Sequence, residues 1–408
     1  MKVLHARCAG LDVHKEKVFA GVRIADGGKV TEHVQSFSTT TKGLLELSDY
    51  LASFGVTHVV MEATGVYWRP VWHVLVGNFE LTLANAAHVK NVPGRKSDVK
   101  DCIWLANLLA HGLVRGSFVP PQPIEELRQL MRMRKQFVRE IAQHSLRIQK
   151  GLEDMNIKLG NVVTDVLGTT GRSILYKLAA GVTDPEVLAN EARGTLKKKR
   201  EELVEALRGR VTEHHRFLLK LHLETIEMLE GQVSQIDERV GGALDPFREG
   251  IELLTSIPGV GEQTATVLVS EIGTDMSRFA TSAQLISWAG LCPRSDESAG
   301  KHRSRRIRRA SPWLRTCLVQ AAWGAARSKN TYLQAQYFRI KARRGSKKAA
   351  IAVAASILTA AWHMLRDGVF YKDLGPDYFL RHDREKTAKK LAKRIENLGF
   401  QVTLTQAA

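Results

Sequence analysis

The stretch RCAGLDVHK, Arg7–Lys15, sets one carboxylate, Asp12, inside an otherwise small and apolar run. Its composition reads as a β-strand, and a charge in such a strand is costly unless something positive meets it. Two further β-rich runs follow, KVFAGVRIA and KVTEHVQSFST, separated by charged or glycine-containing turns. KGLLELSDYLASFG then has apolar residues at helical spacing and closes on Gly55. THVVMEATG is a fourth strand, apolar until Glu62, and YWRPVWHVLVG a short helix. FELTLAN is a fifth strand, and SDVKDCIWLANLLAHG a helix with Ser97 as N-cap and Gly112 as its stop. The order of three strands, helix, strand, helix, strand, helix predicts an α/β domain.

Four acids belong to this domain: Asp12 and Glu62 on strands, Asp98 and Asp101 three apart on one helix face. Clustered carboxylates repel, and a hard divalent cation such as Mg²⁺ relieves that repulsion while using phosphate oxygens to complete its shell. Two such ions can clamp the attacking and leaving oxygens of a phosphoryl transfer. Taken singly, each acid has a plainer use. Asp98 suits the first turn of a helix, and Glu62 could pair with Arg69.

The whole chain has 408 residues, a formal charge of +18 and a pI near 9.8, which favours a polyanionic partner, nucleic acid first. With 44% hydrophobic and 25% charged residues it is globular. Cys8, Cys102, Cys292 and Cys317 are too dispersed for a CxxC metal pair or a disulfide framework, so reduced thiols and a cytoplasmic location are expected. The N-terminus shows no apolar signal region. The longest apolar run, Ala349–Trp362, is shorter than a membrane span and reads as a buried helix, so no membrane partner is expected.

Beyond the α/β domain (residues 1–122) the pattern turns helical. Residues 123–245 carry long amphipathic helices that suggest a hairpin or coiled-coil arm. Residues 246–370 read as an all-α C-terminal domain, and 371–408 as a basic tail with helical spacing. Ile257-Pro258-Gly259-Val260-Gly261 lies between two short helices and resembles a helix-hairpin-helix. There Gly259 and Gly261 could let backbone N–H groups approach a phosphate; a tight interhelical turn without a ligand is the alternative. Lys301, Arg303, Arg305, Arg306, Arg308 and Arg309 place six charges in nine residues, which suits phosphate contact. Trp68, Trp288, Trp313 and Trp323 read as core.

GLDVHK, VVMEATG and KSDVKDCIWLANLL resemble the acidic blocks of RuvC-like DEDD transposases, a branch of the ribonuclease-H superfold. GLCPRSDESAGK and PWLR resemble the second block of the same insertion-sequence family, whose members are bridge-RNA-guided DNA recombinases. The resemblance implies a ribonuclease-H-like (RuvC-like) N-terminal domain with Asp12, Glu62, Asp98 and Asp101 as a Mg²⁺-binding tetrad. It implies excision and insertion of a mobile element, with DNA and a structured guide RNA as partners. A homodimer or homotetramer is also implied. The family's serine falls on Ser298 in Ser298-Ala299-Gly300-Lys301, with Ser295 as the competing assignment and a turn or cap as its plainer use. Two rival functions remain open: a RuvC-like structure-selective nuclease that only hydrolyses, and a non-catalytic nucleic-acid-binding protein.

Overall fold

The computed structural model describes residues 3–63, 65–84, 101–293, 296–298, 301–304, 307, 310–381 and 384–404. The chain divides into two compact units, Met1–Val119 and Pro120–Ala408.

The first unit is built on a mixed five-stranded sheet. Its strands are β1 (Arg7–Val13), β2 (Lys17–Asp26), β3 (Lys29–Ser38), β4 (His58–Glu62) and β5 (Glu80–Ala84), in the spatial order β3-β2-β1-β4-β5. The first three form an antiparallel meander, and β1–β4–β5 are parallel. Between them come α1 (Thr41–Ser53) and α2 (Trp68–Leu75), and α3 (Asp101–Ala110) follows. Because strand side chains alternate, each strand feeds two cores. Ala9, Leu11 and Val13 join Leu44, Leu47 and Leu51 of α1 and Val71 and Leu75 of α2. Cys8 and Val60 face the other way and meet Leu105, Ala106 and Leu109 of α3. Among the described residues this is the expected α/β order; Ser97, the expected cap of the last helix, lies outside them.

The second unit opens with α4 (Gln122–Asp154), which lies against α9 (Glu213–Ala243). Leu127 and Met131 pack on Ile236 and Val240, and Arg134 forks onto Asp237. Further along α4, His144 meets His222. Rising numbers on α4 meet falling numbers on α9, so the two helices run antiparallel. The segment between them holds α5 (Leu159–Val162), α6 (Thr169–Ala179), α7 (Pro185–Ala189) and α8 (Arg200–Ala206) around a core that includes Ile174, Leu178 and Leu203. Within 192–209, Gly194–Lys199 is a 3₁₀ turn, and the α-helix begins only at Arg200. Gly194, at φ +57°, and three successive lysines explain the delay.

The C-terminal part comprises α10 (Arg248–Thr255), α11 (Glu262–Ile272), α12 (Ser282–Trp288), α13 (Pro312–Arg327), α14 (Tyr332–Arg344) and α15 (Ser346–Asp367), then α16 (Tyr378–Arg381) and α17 (Arg384–Glu396). One expectation fails here, since this part is not all-α. Strands β6 (Asp296–Ser298) and β7 (Lys301–Ser304) form an antiparallel pair between α12 and α13. Both strands are short and polar, so they carry none of the apolar alternation that marks a half-buried strand. Helix α15 is long and apolar enough to cross a membrane, yet half of its apolar window is buried within the unit, against α10, α12, α13 and α14. Trp323 is 40% exposed, which corrects its reading as core.

Candidate functional site

Helix α3 lies over β1 and β2 and runs against β1. Leu4 N donates to Ala110 O at 2.8 Å, the Cys8 thiol reaches Ala106 O at 3.4 Å, and Gly10 sits beneath Cys102. Cys8 and Gly10 face α3, so Asp12, two positions on, points to the same side. Val60 belongs to the α3-side core, which sends Glu62 the same way. The parallel register pairs Leu11 with Met61, so Asp12 and Glu62 are the next residues on neighbouring strands. Asp101 is the first residue of α3, at the end of the helix nearest Asp12. Three of the four acids therefore share one face of the sheet. The fourth, Asp98, lies outside the described residues.

The electrostatics agree with this placement. Burial pushes the Cys102 thiol up, and the charges of Asp12 and Asp101 push it further, so both carboxylates act on the same first turn of α3. His14 Nε2 stands 3.1 Å from Asp12 Oδ2. It belongs to the motif that marks Asp12, yet nothing in its spacing singled it out as a site residue. The Oδ1 of Asp101 is buried and has no hydrogen-bond partner among the described residues. A buried carboxylate oxygen left this way costs on the order of 1–3 kcal/mol or more. Among the described residues, no three of His, Cys, Asp or Glu stand close enough to hold a metal ion together. The unpartnered oxygen and the oxygen-only donors nonetheless suit a hard divalent cation.

Ser298 ends β6 and pairs in register with Lys301, the first residue of β7. Arg303 lies on β7, whereas Arg305, Arg306, Arg308, Arg309 and Ser295 fall outside the described residues. The glycines of the expected hairpin part company. Gly259 has φ +86°, and a Cβ there would meet Ala325 N at 2.3 Å and Ala321 O at 2.4 Å. Its close approach is to helix α13 of its own chain, a contact that holds the turn tightly against that helix. Gly261, the N-cap of α11, has open space around it and no side-chain cap.

Residues 9–157 match a family model of DEDD transposases of IS110 type, described as Transposase, and residues 251–338 match the model described as Transposase IS116/IS110/IS902 family. The chain belongs to the IS110-type transposase family. The first match begins in β1 and contains all four acids, and the second contains Ser298. The chain is 34% identical over 128 residues to the IS110 insertion element's uncharacterized 43.6 kDa protein of Streptomyces coelicolor, covering 30% of this chain and 31% of that one. It is 29% identical over 160 residues to the candidate transposase y4pF/y4sB of Sinorhizobium fredii, covering 38% and 41%. A mini-circle protein of Streptomyces coelicolor, named for IS117 transposition, is 34% identical over 82 residues, or 20% of each chain. The matched stretches thus span well under half the length of these relatives. The DEDD domain of this transposase family implies dependence on a divalent metal.

Proposed function

We propose that this chain is a DNA recombinase that excises and inserts a mobile element by strand cleavage and exchange. The observation that carries the reading is the buried Oδ1 of Asp101, unpartnered among the described residues, on the sheet face that Asp12 and Glu62 also occupy. Asp12, Glu62, Asp98 and Asp101 are the residues that would hold Mg²⁺. Bound there, Mg²⁺ supplies charge stabilisation at phosphoryl oxygens.

Ser298 is the proposed nucleophile. Its Oγ bonds to phosphorus, its proton passes to a base, and the P–O bond to one deoxyribose oxygen breaks, that oxygen leaving as a hydroxyl. The number of phosphoester bonds is unchanged, so a hydroxyl of another strand can reverse the step and reseal without an energy source. Lys301, Arg303, Arg305, Arg306, Arg308 and Arg309 surround this position in sequence and would offset the phosphate's charge. Family membership further supports guidance by a structured RNA and a homodimeric or homotetrameric assembly.

The test is a denaturing gel of the protein with labelled element-end DNA, followed by mass spectrometry of the linked peptide. A covalent adduct on Ser298 that disappears in both Ser298→Ala and Asp101→Ala is expected. Metal-dependent cleavage without any adduct would replace the recombinase with a hydrolytic nuclease. An adduct on Ser295 would remove Ser298 from its role.

A further inference from the structure

Helices α4, α11 and α13 enclose a cavity of about 240 Å³ whose walls include Lys135, Gln263, Trp313, Cys317 and Gln320. Its one carboxylate is already engaged. Glu271 is 1% exposed, Arg132 grips it through Nε and Nη2 at 2.8 Å each, and Ser311 Oγ stands 3.4 Å away. Two other cations of α4 have no such partner. Among the described residues, no carboxylate pairs with Lys135 or with Arg139, whose guanidinium lies 5.0 Å from the centre of the Trp313 ring. Gln263 and Gln320 stand at the exposed rim with their amides unengaged among the described residues. The floor is Cys317, buried and held toward Thr264 O at 3.9 Å.

Lys135 and two amide donors line the cavity, and Arg139 adjoins it across the Trp313 ring; together they form a receptor for an anion with several oxygens. The first turn of α11 adds backbone N–H groups that its uncapped Gly261 leaves unanswered. The aromatic wall narrows the choice of ligand. Trp313 is half-buried, and the guanidiniums of Arg132 and Arg139 lie 6.0 and 5.0 Å from its ring. Those guanidiniums compete for that ring with an unpaired base, whose stacking is how single strands are held. A duplex, with its bases turned inward and its phosphates outward, needs no such platform.

We infer that this groove, built jointly by the α4 arm and the α11 N-terminus, seats the sugar–phosphate backbone of duplex DNA through Lys135, Arg139, Gln263 and Gln320. The inference rests on the recombinase reading for its ligand and adds a contact that the basic run around Ser298 does not contain.

The experiment measures binding of the full chain to a short labelled DNA duplex of arbitrary sequence across a range of salt concentrations. Lys135→Ala/Arg139→Ala lowers the slope of log affinity against log salt by about two, since each lost phosphate contact removes about one. Lys135→Arg and Arg139→Lys keep the slope. Gln263→Lys raises it by about one, which preserves a test if the double variant does not fold. An unchanged slope in the folded double variant overturns the inference, as does an equal fall with single-stranded DNA or a fall seen only with an RNA duplex. If the groove variant binds as the parent does while the parent still forms its Ser298 adduct, the groove alone is wrong. If the parent binds no nucleic acid, the recombinase reading falls first.

Discussion

Gly10 and Gly21 stand directly opposite one another in the antiparallel β1–β2 ladder, and both lie under the first turn of α3. A Cβ on Gly10 would meet Cys102 O at 2.1 Å, and one on Gly21 would meet Ile103 N at 2.8 Å. Both obstacles are backbone, so no side-chain rotation relieves them. The glycine pair lets α3 sink onto the sheet and brings Asp101 level with Asp12. Gly10→Ala is expected to cost about 1–3 kcal/mol of stability through overpacking. Because it lifts the start of α3, it should also slow strand cleavage by on the order of 10²-fold in the folded protein. Urea melts and single-turnover cleavage measure the two effects. Gly27→Asn, at a turn with nothing within 4 Å of its Cβ position, should change neither. Normal cleavage by Gly10→Ala would show that the seat does not position Asp101.

Asp101 offers a separation of stability from function. Without metal, its buried and unpartnered Oδ1 destabilises the fold. Asp101→Asn should therefore raise metal-free stability by about 1 kcal/mol while abolishing cleavage. Adding Mg²⁺ should then raise the melting temperature of the parent and not that of the variant, because only the parent gains binding energy in its folded state. Calorimetric melts with and without Mg²⁺ decide the matter. Equal Mg²⁺ stabilisation of the two proteins would remove Asp101 from the metal site.

Glu271 is the electrostatic anchor between α11 and α4. Its carboxylate takes both nitrogens of the Arg132 fork, and Arg128 Nη2 donates to its backbone oxygen at 2.6 Å. Glu271→Ala leaves the half-buried Arg132 guanidinium without its carboxylate and should cost about 1–3 kcal/mol. Glu271→Ala/Arg132→Met should recover part of that loss, because the orphaned charge goes with its partner. Denaturant unfolding of the single and double variants provides the comparison. An equal or greater loss in the double variant would mean that packing, not charge, sets the cost.

Cysteine chemistry gives a pH signature. Burial pushes the Cys8 and Cys317 thiols up to about 11, from 9.0 in an exposed chain. The unfolded chain therefore ionises first, and the folded state keeps its protons longer. This contribution to stability is whole below pH 9 and is lost as the pH rises toward 11. The urea midpoint should fall across that window, and the fall should be shallower in Cys8→Ala/Cys317→Ala. In native protein at neutral pH, a thiol reagent should modify half-buried Cys292 well before buried Cys8, Cys102 and Cys317. Rapid labelling of Cys317 would contradict the packing of α13 on α11.

Local pattern alone determined much of this protein. Alternation and helical spacing laid out the five strands and three helices described in the first unit. Asp12 and Glu62 were conspicuous because a charge is out of place in an apolar strand. Clustered arginines after Ser298 raised the expectation of an anion-binding stretch, since like charges are not crowded together without a counter-charge. Only the tertiary structure decided the rest, because the deciding contacts join residues far apart in the chain. Gly10 and Gly21 look like ordinary strand glycines until the ladder sets them opposite and α3 lands on both. Gly259 reads as one of two alike turn glycines until α13 packs against it and leaves Gly261 in open space. Lys135 and Arg139 are two charges among many on an amphipathic helix. Their significance appears only when Glu271, on another helix, proves to be spent on Arg132, leaving them with no paired carboxylate among the described residues. Periodicity records which face a residue takes, and folding alone decides what comes to lie against that face.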